Sequence, residues 1–385
     1  MKVDFYQHRL RRSDADSIAD VLATPFLTTG KVGAGVEAQL VDYFGVPYAL
    51  LFNSWTNGAF ALMLALDLKP GDEVIVPAMT FIASANIVEL TGAKIVLVDV
   101  DPDTFLLSPD AVAQAVTPNT RVVIPVHLYG QMVDVAGMRH AIDRASAPGQ
   151  KVYLVEDCAH CFEGQRDGYR PGKHSDAAVF SFYATKNVTC GEGGAVILKD
   201  AELQQRLRET RLHGMSAIAA DRFSGGRYNH WDMNRLGTKG NLPDILAALL
   251  PRQIENIDEF LPVREAVARR YLDAIADIAI ETPARIQGCV HAWHLFAIGV
   301  PAKKRDQCID VLNGAGVPVT VNYRALPDLT YYGSQYPESL SACPIAVQWG
   351  RKTLTLPFYP NMPQDQQDHI IDVLRKKVAP LLCAW

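Results

Sequence analysis

The sequence lacks the features that mark membrane-bound and secreted proteins. It contains no run of about 18 apolar residues, the length that a membrane-spanning helix needs. The N-terminus, MKVDFYQHRLRRSDADS, is charged from its second residue and has no apolar signal-peptide core. The seven cysteines are an odd number without a secretory signal, which fits reduced thiols. We therefore expect a cytoplasmic protein.

Concentrated basic charge is also missing. The chain has 37 Lys and Arg against 42 Asp and Glu, a formal net charge of −5. Proteins that bind nucleic acids or anionic membranes need a strongly basic surface, so the charge balance argues against both classes. It does not exclude a small anionic ligand in a local pocket. Hydrophobic residues make up 49% and charged residues 21%, which is typical of a globular protein.

Short apolar runs alternate with helical patterns over the first two thirds of the chain. Such runs between helices predict a mostly parallel sheet covered on both faces, with ligands at the carboxyl ends of its strands. From about residue 244 the pattern becomes a long helical stretch, broken near Pro251 and Pro262, followed by a mixed segment. We expect a large domain over residues 1–245 and a smaller α+β domain over residues 246–385. The apolar runs cover residues 73–77, 94–98, 122–126, 152–155, 177–182 and 195–198.

The segment VYLVEDCAHC, residues 152–161, places Asp157 directly after an apolar strand. A buried carboxylate there needs a cationic or hydrogen-bonding partner. The pyridinium nitrogen of pyridoxal phosphate (PLP) is one such partner, because a nearby carboxylate keeps that nitrogen protonated. An Asp that caps the next helix is the competing interpretation. The CxxC motif of Cys158 and Cys161 has no second ligand pair at zinc-finger spacing, so buried free thiols are favoured over a metal or redox site.

The segment SFYATKNVTCGEGGAVIL, residues 181–198, places Lys186 five residues after a strand that ends at Ser181. A lysine close to the carboxyl end of a strand is partly desolvated. Desolvation lowers its pKa, as an imine-forming amine requires. Ser181 is a candidate donor to a phosphate oxygen. A surface lysine between two strands is the competing interpretation.

A third segment, residues 53–76, begins as a loop and continues as a buried helix over residues 59–68. Thr56 and Asn57 are the candidate capping residues. A helix N-terminus with small polar residues is a ready anion site, through its free N–H groups and its dipole. The competing interpretation is an ordinary helix cap.

The order and spacing of these motifs resemble the DegT/StrS-type sugar-nucleotide aminotransferases, which are PLP enzymes of fold type I. The resemblance extends over almost the whole chain. The motifs that carry it are FLTTGKVGAGVEAQLVDYFGV (26–46), PGDEVIVPAMTFIASAN (70–86), GAKIVLVDVDPDTF (92–105), PVHLYGQMVDV (125–135), VEDCAHCFEG (155–164), FSFYATKNVTCGEGG (180–194), GTKGNLPDILAALLPRQIENID (237–258), VNYRALPDLTYY (321–332) and LTLPFYPNM (354–362).

The resemblance implies a large domain with a seven-stranded, mostly parallel sheet, and it implies a role for each matching residue. Lys186 forms the Schiff base with PLP, and Asp157 pairs with its pyridine nitrogen. His160 lies close to the ring, and Phe81 stacks on the ring's other face. The residues implied at the phosphate are Trp55, Thr56 and Ser181, and those implied to reach the site from a partner subunit are Lys239 and Asn241.

Two positions depart from the family pattern. Trp55 stands where many members have glycine, so its ring must be placed elsewhere, with the substrate side as one possibility. Gly240 stands where many relatives have an aromatic residue in the partner loop. Candidate substrate contacts, which the motifs specify least, are Thr29, His127, Tyr129, His294 and Arg324. For Arg324 a surface salt bridge is the alternative, and Tyr323, Tyr331 and Tyr332 are expected to serve packing.

The implied reaction is a transamination in two halves, within amino-sugar biosynthesis of the kind that serves polysaccharides such as O-antigen. L-Glutamate or glutamine donates the amino group, and a nucleotide-linked keto-sugar receives it. His160, three residues after Asp157, accompanies C4 amination in this family and therefore favours a 4-keto-6-deoxy sugar. The implied assembly is a homodimer with shared sites.

Three other functions remain open. A PMP-dependent sugar dehydratase would carry His in place of Lys186. An aminotransferase acting on a cyclitol or another keto-substrate would keep every motif above. A non-catalytic PLP-binding regulator would not need the lysine, aspartate and phosphate set intact.

Overall fold

A computed structural model describes residues 1–216 and 230–383 of the chain. The last residues of the predicted smaller domain, 384 and 385, lie outside the described residues. Among the described residues, no helix combines the length and the apolar character that crossing a bilayer requires.

The strands are short and apolar. In chain order they are β1 (Tyr48–Phe52), β2 (Glu73–Pro77), β3 (Lys94–Val98), β4 (Thr120–Val123), β5 (Tyr153–Asp157), β6 (Gln165–Arg166), β7 (Ala177–Ser181), β8 (Gly194–Leu198), β9 (Cys289–Val290), β10 (Phe296–Gly299) and β11 (Thr353–Leu356).

The α-helices lie mainly between the strands. In chain order they are α1 (Asp14–Leu22), α2 (Lys31–Phe44), α3 (Trp55–Ala65), α4 (Ala83–Glu89), α5 (Pro109–Ala115), α6 (Val135–Ala145), α7 (Ala201–Thr210), α8 (Asp244–Ala247), α9 (Pro251–Glu255), α10 (Leu261–Ile275), α11 (Arg305–Gly314), α12 (Thr330–Gln335), α13 (Ser339–Ala342), α14 (Pro344–Lys352), α15 (Gln364–Val373) and α16 (Ala379–Cys383).

Seven strands form one sheet in the order β1-β8-β7-β5-β4-β2-β3. The pairs from β7 through β5, β4 and β2 to β3 are parallel, and β8 runs antiparallel to both of its neighbours. The prediction of a seven-stranded, mostly parallel sheet is therefore confirmed. The carboxyl ends of the parallel strands meet at one edge, where β5 ends at Asp157 and β7 ends at Ser181.

Alternate residues of the central strands pack on opposite faces of the sheet. Val74 and Val76 of β2 belong to the apolar cluster that contains Leu62 of α3. Ile75, between them, belongs to the cluster that contains Met138 of α6. Because successive strand residues point to opposite faces, a strand buried on both sides must be apolar throughout, as EVIVP nearly is.

The C-terminal part of the chain builds a separate small sheet. Strands β10 and β11 pair antiparallel, and their residues share an apolar cluster with α10, α11 and α15. Pro251 and Pro262 both lie in first turns of helices, where a missing N–H costs nothing, so the predicted breaks are confirmed. The boundary at residues 245 and 246 stays a prediction.

Several predicted bounds were wrong by a few residues for identifiable reasons. The run 122–126 ends as a strand at Val123, because Pro125 has no N–H to donate to the sheet. The run 152–155 extends to Asp157, so that carboxylate belongs to the strand itself. Helix α3 begins at Trp55 and is capped by Ser54, whose Oγ accepts the N–H of Asn57 at 3.1 Å. Thr56 and Asn57 therefore lie in the first turn and are not the cap.

Two leucines test where the core lies. Leu40 of α2 is fully buried, whereas Leu90, after α4, is 66% exposed. Leu40→Ala should lower the free energy of unfolding by about 2–5 kcal/mol, because it removes buried methyl groups and leaves a cavity. The same change at Leu90 should alter it by no more than about 0.5 kcal/mol. Urea unfolding of both variants measures the difference, and equal effects would contradict this assignment of the core.

Candidate functional site

A cavity of about 470 Å³ opens at the carboxyl edge of the sheet, where strand ends β5 and β7 meet the start of α3. It lies where ligand sites of parallel α/β sheets are expected. Most of the predicted cofactor residues line it, although they are spread over more than 130 positions of the chain. The predicted residues in its lining are Trp55, Thr56, Phe81, Asp157, His160, Ser181, Lys186 and His294.

Asp157 is the buried carboxylate of this cavity, with 4% of its surface exposed. Its Oδ2 accepts the hydroxyl of Ser84 at 2.9 Å, and its Oδ1 accepts the N–H of Ala159 at 3.0 Å. Burial raises the pKa of Asp157, while these two hydrogen bonds and the nearby Lys186 act in the opposite direction. No helix follows Asp157 within residues 158–164, so the helix-cap interpretation is wrong.

Lys186 lies on the loop between β7 and β8 and lines the same cavity as Asp157. Its Nζ is 3.3 Å from Nε2 of His294, and its carbonyl oxygen accepts the hydroxyl of Tyr6 at 2.9 Å. Desolvation lowers the pKa of Lys186 to about 8, with the Asp157 carboxylate opposing the shift. A substantial fraction of this amine is therefore neutral near pH 8, which a nucleophile or a base requires.

His160 is buried and held at both ring nitrogens. Its Nδ1 accepts the backbone N–H of Tyr129 at 3.2 Å, so the ring proton is on Nε2, which lies 3.0 Å from the hydroxyl of Tyr323. Burial, and then the charge of Lys186, lower the pKa of His160 well below its usual range. The ring is therefore a neutral Nε2–H donor at the cavity wall.

The start of α3 offers hydrogen-bond donors to an anion. The first N–H groups of a helix have no intrahelical partner, and at this end the Asn57 N–H is taken by Ser54. Ser181 Oγ accepts the N–H of Tyr183 at 3.3 Å, which leaves its own O–H free to donate. Gly194 allows β8 to approach this corner, because a Cβ there would lie 2.7 Å from the Trp55 nitrogen.

Trp55 and Phe81 form apolar parts of the wall. The Trp55 side chain is buried in the apolar cluster of α3. Most of its ring therefore lies in the core, and the interpretation that it points toward a substrate is not favoured. Phe81 is 50% exposed, and its ring centroid is 5.4 Å from that of Tyr323. An exposed aromatic ring at the mouth is consistent with the predicted stacking role, which stays a prediction.

Two predicted substrate contacts lie in the core and away from the cavity. His127 is fully buried, with Nε2 2.7 Å from Glu156 Oε2 and Nδ1 accepting the N–H of Val133. Tyr129 is buried as well, and its hydroxyl donates to the carbonyl of Asn322 at 2.6 Å. Neither side chain has an exposed polar atom to offer a substrate. Tyr129 instead acts through its backbone, by orienting His160.

Three further predicted residues lie around a second cavity, of about 330 Å³. Asn241 and Thr29 line it, with Asn241 Nδ2 donating to Thr29 Oγ1 at 2.9 Å. Lys239 Nζ donates to Asn241 Oδ1 at 2.5 Å. The structure therefore does not bring them to Lys186 of the same chain, and a role in a partner's site stays a prediction. Arg324 is exposed and donates to the carbonyl of Asp328, close by in sequence.

Some site residues were missed by sequence reasoning. Ser84 had no predicted role, and Tyr323 was expected to serve packing, yet both side chains hydrogen-bond to predicted site residues. Phe5 and Tyr6 also line the cavity, although the N-terminal segment carries no motif. Sequence signals existed for two of them, in TFIASAN, which contains Ser84, and in VNYRALPDLTYY, which contains Tyr323. The thiols of the CxxC motif are buried, as expected for free cysteines.

Comparisons with known proteins agree with this geometry. Residues 8–375 match the model of the DegT/DnrJ/EryC1/StrS aminotransferase family. Spr1654 from Streptococcus pneumoniae, to which a sugar aminotransferase activity is ascribed, is similar in its PMP form, with 27% identity and a TM-score of 0.92 over 99% of this chain and 100% of that chain. DesV from S. venezuelae, solved with a ketimine intermediate, is 32% identical, with a TM-score of 0.85 over 95% and 94%. TlmJ, an aminotransferase from Streptoalloteichus hindustanus, is 27% identical, with a TM-score of 0.89 over 98% and 99%.

The lowered pKa of Lys186 can be measured by amine labelling. In cofactor-free protein, acetylation of Lys186 should rise with pH around a midpoint of about 8. Ordinary surface lysines should follow a midpoint near ~10.4. Because the Asp157 carboxylate raises this pKa, Asp157→Asn should shift the midpoint downward. Peptide mass spectrometry across a pH series gives both values. A Lys186 midpoint equal to that of surface lysines would overturn the assignment.

Proposed function

This chain belongs to the DegT/DnrJ/EryC1/StrS aminotransferase family, and on that premise we propose that it uses PLP to convert a nucleotide-linked keto-sugar to the amino-sugar. L-Glutamate is the proposed amino donor. The observation that carries the proposal is the single cavity in which the Lys186 amine, the Asp157 carboxylate and the anion-binding start of α3 converge.

The chemistry of the cavity fits PLP at each of its three polar features. Asp157 is a buried carboxylate with a lone pair left on each oxygen, which suits a protonated pyridine nitrogen. The start of α3 and the free hydroxyl of Ser181 suit a phosphate. Lys186 supplies an amine with a lowered pKa, which suits covalent attachment to an aldehyde. PLP, when bound, supplies the electron-withdrawing ring that makes a bound amino acid's Cα–H acidic.

The chain's own residues then supply binding and proton transfer. Lys186 Nζ would move a proton from the donor's Cα to the bound cofactor in the first half of the reaction, and from the cofactor to the carbon that is aminated in the second half, as general base and acid. Its partly neutral state near pH 8 makes both directions accessible. His160 presents a neutral Nε2–H, so it donates a hydrogen bond without adding a positive charge that would depress the pKa of Lys186 further.

The substrate proposed is a 4-keto-6-deoxy sugar. The resemblance to the sugar-nucleotide aminotransferases implies that a histidine at the position of His160 accompanies amination at C4 of the sugar. The apolar side chains in the lining also suit a deoxygenated sugar face better than a charged one. These side chains are Phe5, Phe81, Tyr323 and Phe358. Cyclitols and other keto-substrates remain the alternatives, and a dehydratase is disfavoured by the lysine at position 186.

We further propose a homodimer in which Lys239 and Asn241 complete the partner's site. Lys186 is the only Lys or Arg side chain among the described lining residues, so a doubly charged phosphate is under-neutralised within one chain. Lys239 is exposed and lies outside its own cavity. Several large apolar side chains in the parts of the chain around residues 22–27 and 233–236 are exposed, and such exposure is a feature of subunit contacts. They include Leu22, Phe26, Leu27, Met233 and Leu236.

The free cysteines fit the reducing cytoplasm as the place of this reaction.

The reaction is tested in two halves by the visible absorption of the bound cofactor. Glutamate and other amino acids are added to the PLP form, and the donor is the one that bleaches the band. Nucleotide 4-keto sugars, 3-keto sugars and keto-cyclitols are then added to the aminated form. We expect a 4-keto sugar to restore the band fastest. If only cyclitols restore it, the sugar assignment is wrong. Lys186→Ala is the control, and it should lose turnover while keeping its fold.

Shared sites are tested with mixed dimers. Lys186→Ala and Lys239→Glu should each abolish or strongly reduce activity when they are made alone. Co-expressed with separable tags, they should form hybrids in which one site has both intact residues, and random pairing restores about a quarter of the wild-type sites. Purified hybrids with no activity would contradict a partner role for Lys239.

A further inference from the structure

His294 lies against the amine of Lys186 and has no role in the function proposed above. It stands just before β10, and its backbone N–H donates to the carbonyl of Tyr129 at 3.0 Å. Its ring is buried, with Nε2 3.3 Å from Lys186 Nζ and Nδ1 3.4 Å from Oδ1 of Asn187. The ring centroid is 4.6 Å from that of His160. Which nitrogen carries the proton determines what His294 can do to Lys186.

The orientation of the Asn187 amide is set by its other contacts. Its Nδ2 donates to Glu163 Oε1 at 2.8 Å and to the carbonyl of Ala292 at 3.0 Å. A backbone carbonyl can only accept, so the amide nitrogen must face it. The amide oxygen is thereby turned toward His294. An amide oxygen can also only accept, so the proton of His294 belongs on Nδ1.

Glu163 is itself held as an acceptor. The side chains of Glu163 and Arg264 are buried at 0% and 1% exposure and form an ion pair through Oε1. That oxygen receives both an Arg264 N–H and the Asn187 amide, and neither donor can accept a hydrogen bond. Oε1 therefore carries no proton, and the amide of Asn187 has no reason to flip.

We propose that His294 is a positioning residue for Lys186, held by Asn187 in the tautomer that has its proton on Nδ1. The proposal rests on the transaminase function above. In this tautomer Nε2 is an acceptor, so the free amine of Lys186 directs one N–H at His294. Its single lone pair then remains available for proton transfer in the cavity. The other tautomer would donate its Nε2–H to that lone pair and block the base.

The charges around His294 keep it neutral. Burial, and then Lys186, His160 and Arg264, lower the pKa of His294 well below its usual range. The carboxylate that faces Lys186 is Asp157, on the neighbouring strand end. A neutral acceptor holds the amine in place without the strong stabilisation of an ammonium that a second carboxylate would provide. The amine can therefore both lose and regain its proton near pH 8.

The tautomer is read directly by nitrogen NMR of protein labelled with ¹⁵N-histidine. The measurement uses cofactor-free protein and the aminated form, in both of which Lys186 is free, and His294→Gln identifies the signal. We expect a neutral His294 ring with the proton on Nδ1 from pH 6 to 9. Asn187→Ala removes the acceptor and should yield a mixture of the two tautomers. A proton on Nε2, a charged ring, or an unchanged tautomer in Asn187→Ala would each overturn the proposal.

Kinetics give a second readout. In single turnovers with α-deuterated donor, His294→Gln should slow proton transfer by about ten- to a hundred-fold and raise the isotope effect, because the amine is no longer oriented. The KM for the donor should change little. His140→Gln, the same change at an exposed position of α6, should leave rate and isotope effect unchanged. An unchanged isotope effect in folded His294→Gln would refute the positioning role. If that variant does not fold, the wild-type tautomer decides.

The two failures can be told apart. The tautomer measurement needs no substrate, so it remains valid if no amino donor bleaches the cofactor band, an outcome that would remove the proposed function. If the wild-type enzyme transaminates and its His294 carries the proton on Nε2, the function stands and this inference falls.

Discussion

The arrangement of the site depends on one buried carboxylate. Asp157 ends a central strand with 4% of its surface exposed, and a carboxylate in such a place is costly unless hydrogen bonds and a cation compensate it. Ser84, the Ala159 N–H and the amine of Lys186 provide that compensation from three different segments. The same desolvation that raises the pKa of Asp157 lowers that of Lys186. The two groups thus make one unit, in which an anion and a partly neutral amine line the same cavity and interact electrostatically.

Two neutral imidazoles complete this unit, and a different hydrogen bond sets the tautomer of each. The backbone N–H of Tyr129 places the proton of His160 on Nε2. The amide of Asn187 places that of His294 on Nδ1. The two rings therefore offer opposite functions to the cavity, one as a donor and one as an acceptor. Neither adds a positive charge beside Lys186, whose pKa would otherwise be lowered further.

Particular residues show which features of the site sequence patterns could predict and which they could not. Strand-end patterns singled out Lys186, Asp157 and Ser181 as candidates, because strand ends of a parallel sheet meet at one edge, and the family resemblance supplied their expected roles. His127 and Tyr129 follow a strand in the same way, yet the structure buries both, and their polar atoms have hydrogen-bond partners in the core. Ser54 replaced Thr56 as the helix cap because the helix begins one turn earlier than its apolar pattern. Tyr6 had no local signal at all, since it reaches Lys186 from 180 positions away.

Sequence patterns were sufficient to predict a mostly parallel sheet, to reveal the family resemblance and to single out an amine and a carboxylate that line one cavity. Those features follow from the periodicity of apolar residues and from short motifs, which are local properties of the chain. Three features arise only when distant segments pack together: the tautomers of the two histidines, the contact between His294 and Lys186, and the exclusion of His127 and Tyr129 from the cavity. These depend on hydrogen bonds between residues as far as 193 positions apart, and no local pattern encodes which of two ring nitrogens meets a donor.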